Sequence, residues 1–75
     1  MNDCFMIEIT ANEARRLVRR GIVCSFRINN DSNRIRVFIV IGSEAGHVLN
    51  TSYPTIESAQ RAIDELNWTG PVVID

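Results

Sequence analysis

The sequence predicts an α+β fold: a two-layer sandwich in which one mainly antiparallel sheet carries two helices on one face, in the order β-α-β-β-β-α-β. Three observations carry that prediction. Thr10-Ala11-Asn12-Glu13 has the spacing of a capping box. Two runs of alternating apolar and polar residues flank the turn formers Asn29 to Asn33, as in a β-hairpin. Ile56, Ala59, Ile63 and Leu66 recur at helical spacing and leave one side apolar.

The elements follow in order. Cys4 to Ile9 suits a strand with Phe5, Ile7 and Ile9 on one face. In the next segment the Thr10 hydroxyl can take an orphan amide of the first turn, while Glu13 reaches back to the amide of Thr10. That helix is expected from Ala11 to Arg20, with Gly21 supplying the left-handed conformation of a C-cap. Its apolar stripe is Ala11, Ala14, Leu17 and Val18. Ile22 to Ile28 then alternates, with Ile22, Cys24, Phe26 and Ile28 inward and Val23 and Arg27 outward.

After the turn, Arg34 to Ile41 puts Ile35, Val37, Ile39 and Ile41 inward and Arg34, Arg36, Phe38 and Val40 on the opposite face. A slip of one residue would set Arg36 against Phe26 inside the core, so the register is restricted. Gly42 to Gly46 reads as a second turn, and His47 to Ser52 as a third meander strand with Leu49 inward. Tyr53-Pro54 breaks it, because the residue before proline is pushed away from the helical region. Thr55 caps the second helix, Asn67 and Gly70 are stop signals, and Pro71 to Asp75 form a short last strand.

Composition bounds the answer. Seventy-five residues leave room for one domain and one core. With 45% hydrophobic and 23% charged residues the chain has the balance of a globular protein. The longest apolar run, Val37 to Ile41, is far short of a membrane-spanning helix, which needs about 20 residues. Met1 to Met6 carries Asp3 and no basic stretch, so no secretory signal is expected and a cytoplasmic location is. Cys4 and Cys24 are expected as reduced, partly buried thiols.

The net charge is −1 but unevenly placed: residues 1–40 balance at +3 and residues 41–75 at −4. Such an asymmetry is compatible with a basic binding face or a self-complementary pair. Arg15, Arg16, Arg19 and Arg20 fall within about 140° of arc on the first helix, opposite its apolar stripe. They form a candidate anion-binding face for phosphates, with a solvated helix face as the plainer reading, in which Glu13 pairs with Arg16.

On the outer sheet face, Val23, Arg27, Arg34, Arg36, Phe38 and Val40 form a candidate interface, apolar at the centre and cationic at the fringe. A single aromatic is fewer than single-stranded nucleic-acid platforms use. Catalytic groups are scarce: His47, Cys24 and Asp31 are the material for a nucleophilic system, but nothing in the sequence brings them together. No cofactor or metal site is expected either, because one His and two separated Cys lack ligand spacing. The expectation is a non-enzymatic binding module acting by protein–protein contact, as a homodimer or an accessory subunit. The alternative is a nucleic-acid-binding module using the arginine helix and the outer sheet face.

Overall fold

A computed structural model describes residues 7–31, 34–42 and 44–75. Strand β1 (Ile7–Ile9) leads into helix α1 (Ala11–Arg19). Strands β2 (Ser25–Asp31), β3 (Arg34–Ile41) and β4 (Glu44–Leu49) follow, then helix α2 (Ile56–Asp64) and strand β5 (Val72–Ile74). The α+β class and the element order are those the sequence predicts. The five strands form one sheet in the order β1-β4-β3-β2-β5. Its central meander is antiparallel, whereas both edges pair parallel, β1 with β4 and β5 with β2. The sheet is therefore mixed.

Local chemistry sets the helix ends. Thr10 accepts from the Glu13 amide, and the Glu13 carboxylate accepts from the Thr10 amide at 2.9 Å, so the predicted capping box is formed. Gly21, at φ +76, takes the chain out of α1. Thr55 and Ser58 repeat the reciprocal cap on α2, and Asn67, at φ +66, ends the turn that follows it. Asn tolerates that left-handed region better than most side chains.

One core lies between helices and sheet. Phe26, Ile28, Val37, Ile39 and Leu49 meet Ala14 of α1 and Ala59, Ile63 and Leu66 around α2. Leu17 and Val18 pack against this core from α1, while Ala11, expected in the same stripe, is exposed. The run Val37 to Ile41 is apolar on both faces: Val37 and Ile39 enter the core, while Phe38 and Val40, on the side away from the helices, are half-buried.

Several boundaries differ from expectation. The second strand begins at Ser25 rather than Ile22, so residues 22–24 are irregular and the alternation fails there. Val23, expected on the outer face, is buried in the core; Cys24 and Ile22, expected inward, are exposed. Val23 and Phe26 stand three apart and turn to the same side, which is possible because Val23 lies outside the strand. The ladder also pairs Asn29, Asn30 and Asp31 with Arg36, Ile35 and Arg34, so these turn formers belong to β2.

Strand β4 starts at Glu44, not His47, and ends at Leu49. Ile39 pairs with His47 but Val40 with Ala45, which leaves Gly46 as the extra residue of a bulge. The expected positions of Cys4 and Phe5 lie outside the described residues.

Candidate functional site: the open sheet face and the arginine helix

Both helices pack on one side of the sheet, so among the described residues the other side has no second layer. Its side chains alternate with the core residues. Phe38 sits at the centre, paired with Arg27 of β2 on one side and Val48 of β4 on the other. Val40 continues the patch along β3, and Val73 of β5, paired with Arg27, extends it to the sheet edge at 42% exposure.

The two halves of this face differ. On the β4 side, Arg36 reaches across the sheet: its Nη2 donates to the Leu49 carbonyl at 3.2 Å and lies 3.7 Å from the Glu8 carboxylate. Its Nε is buried without a partner. Val48, beneath this crossing, is only 4% exposed although no helix covers it. The sequence places Arg36 on the fringe of the patch; the structure ties it down instead.

On the β5 side, Arg27 Nε pairs with the Asp75 carboxylate at 3.1 Å, both side chains well exposed. An exposed pair of this kind holds weakly. Arg34 is exposed at the end of β3. Phe38 and Val40 are half-buried. The outer face thus brings together five of the six predicted interface residues, all but Val23.

The arginine face of α1 is also divided. Arg15 is half-buried; it donates to Asn12 Oδ1 at 3.1 Å and to the Glu65 carbonyl at 3.2 Å. Glu65 is the C-cap of α2, so Arg15 satisfies one of that helix's orphan carbonyls and joins the two helices. Arg16, Arg19 and Arg20 are exposed and form no ion pair among the described residues. Glu13, the expected partner of Arg16, is engaged by Thr10. A groove of about 240 Å³ runs between Arg15, Val18 and Arg19 on α1 and Leu66 and Asn67 beyond α2.

The catalytic material stays apart. Cys24 precedes β2 and its Sγ accepts from the Gly42 amide at 3.2 Å. Asp31 closes the same strand seven residues later, roughly 20 Å along an extended backbone. His47 sits on the core side of β4 opposite Ile39, its Nδ1 buried without a partner. Among the described residues no group of three His, Cys, Asp or Glu is placed to hold a metal. No helix there is long and apolar enough to cross a membrane. Burial raises the Tyr53 phenol above its ordinary 10.0, and the carboxylate of Glu65 pushes the same way.

Two features escape the sequence reading. Trp68 packs on Phe26 at 5.3 Å between ring centroids, tilted by 58°, and its indole N–H donates to the Pro71 carbonyl at 3.0 Å. Gly70 lies so close to that ring that a Cβ there would come within 2.4 Å of Trp68 Cζ2. The second is the β5 edge, where Val72, Val73 and Ile74 are all exposed. A Trp two residues before a Gly-Pro step signals the first only once the ring is placed, and an all-apolar terminal run signals the second only once that strand is known to lie at an edge. No protein-family model matches the chain, and no curated protein matches it.

Proposed function

We propose that this chain is a small binding module that works by protein–protein contact through the open face of its sheet. One observation supports it above the others: Phe38 and Val40 stand on the central strand, at the middle of a sheet layered on one side only. Full burial of an aromatic ring of this size is worth about 1.5–3 kcal/mol, and the half-buried Phe38 has only the remaining part of it to gain from a partner. The Arg27–Asp75 pair beside them is open to rearrangement, and charged groups at such a rim steer a partner into register.

The test is capture with a fold-preserving control. Phe38→Asp leaves the circular dichroism spectrum unchanged and releases the proteins that the wild-type chain retains. Identical retention by both chains removes the open face from this reading, and unfolding of Phe38→Asp means that the ring is structural.

The second reading, nucleic-acid binding, is favoured by one feature: Arg16, Arg19 and Arg20 are exposed and unpaired among the described residues. It calls for single-stranded DNA or RNA binding that weakens with salt and falls in an Arg16→Ala, Arg19→Ala double variant. Arg15 is kept, because it holds α2. Absence of any low-salt gel shift at micromolar protein rejects it.

A further inference from the structure

The parallel pairing of β5 with β2 fixes which backbone groups are spent and which are free. The Phe26 amide donates to the Pro71 carbonyl at 3.1 Å, and the Asp75 amide donates to the Ile28 carbonyl at 2.9 Å. In a parallel ladder alternate residues turn both their groups to the neighbour. Residues 71, 73 and 75 therefore face β2, and Val72 and Ile74 direct N–H and C=O outward, at the end of the sheet. The side chains along this edge are Val72, Val73 and Ile74, at 37%, 42% and 46% exposure. No charged residue interrupts the strand. Edges of soluble proteins are ordinarily blunted by short length, charge, proline or a bulge, and of these β5 itself has only its length of three residues. Pro71 stands before this strand, and Asp75 after it is drawn back onto Arg27.

We propose that β5 pairs antiparallel with β5 of a second copy of this chain, across a two-fold axis through Val73. This goes beyond the open-face reading, since the groups involved are the backbone of the edge. The occupant follows from the geometry. With the axis at Val73, Val72 stands opposite Ile74 of the second copy, and both residues carry outward groups. Each such pair exchanges two hydrogen bonds, so the four outward N–H groups of the two copies are all satisfied. Val73 meets its own counterpart on the outer face as a non-hydrogen-bonded pair, the closer kind. Asp75 falls opposite Pro71, so no like charges meet.

The contact is isologous and closes at two copies, whereas β5 against β1 would be head-to-tail and leave open ends. The product is a continuous ten-stranded sheet with both open faces on one side, so a partner docking there would find two equivalent sites.

The test is light scattering after size exclusion on the full chain, with circular dichroism on every variant. Wild type elutes at twice the monomer mass at high micromolar concentration. Ile74→Pro removes one outward N–H that has no acceptor among the described residues, and proline is tolerated on a strand edge. It halves the mass. Val73→Lys and Val73→Glu each halve it as well, and mixing the two restores the dimer; this pair decides the matter if Ile74→Pro does not fold. Phe38→Asp leaves the dimer intact. A monomeric wild type, a dimeric Ile74→Pro, or no recovery on mixing overturns the proposal. A dimer abolished by Phe38→Asp and kept by Ile74→Pro assigns the contact to the open face instead.

Discussion

Replacing Gly70 with Ala probes the contact that sequence reasoning missed. The added Cβ would lie 2.4 Å from Trp68 Cζ2 and 2.9 Å from two further ring atoms, against about 3.4 Å for an ordinary contact. The ring must give way by roughly 1 Å. It is pinned on two sides, by Phe26 at 5.3 Å and by the hydrogen bond to the Pro71 carbonyl. Loss of an aromatic pair is worth about 0.5–1.5 kcal/mol, and a net hydrogen bond about the same. Ala stiffens the unfolded chain and returns about 0.4–1 kcal/mol.

The expected net loss is about 1 kcal/mol, which in a domain of this size lowers Tm by about 4–8 °C. Trp68 is the sole tryptophan, so its fluorescence reports the displacement directly. Thermal melts followed by circular dichroism and by emission give both readings. A Tm equal to or above wild type, with unshifted emission, refutes the packing of Trp68 against Gly70.

Two further outcomes are expected. Ile63 is 1% exposed beneath α2, so Ile63→Ala loses about 2–5 kcal/mol in a denaturant titration, as large-to-small core changes do; a neutral result means that α2 is not packed as described. The folded Tyr53 phenol holds its proton more tightly than the unfolded one, so its contribution is whole below pH 10.0 and is lost as pH rises through the higher folded value. Tyr53→Phe therefore shows a smaller fall in stability above pH 10.0 than wild type, and equal falls in the two chains count against the burial of that phenol.

What the sequence made legible is what local chemistry decides. The Thr10–Glu13 cap needs only four consecutive residues, and Phe26, Ile28, Val37 and Ile39 reveal their common face by spacing alone. Misreadings cluster where the local rule stops applying. Val23 and Cys24 continue the apolar alternation of β2, but the ladder begins at Ser25, and before it the chain is free to turn Val23 inward. Asn29 to Asp31 have the composition of a turn yet are paired with β3, since a ladder needs backbone groups and not particular side chains. Arg15 and Arg36 look like free cations in the sequence. Their engagement with the carbonyls of Glu65 and Leu49 depends on elements distant in the chain.

Topology explains why one face is open at all. Strands β1, β4, β2 and β5 run in one direction and β3 in the other, so both helices belong to crossovers between strands of the same sense. The first crossover, through α1, moves from β1 past β4 and β3 to β2. The second, through α2, moves from β4 past β3 and β2 to β5. Both step the same way across the sheet. Connections of this type are almost always right-handed, and two right-handed crossovers in the same direction lie on the same side. The core therefore collects beneath α1 and α2, and the outward residues of β3 remain on the other side. Phe38 and Val40 are consequently not stray apolar residues on a surface. They are the outer half of a central strand whose fold assigns it a neighbour on each edge but, among the described residues, a layer on only one face.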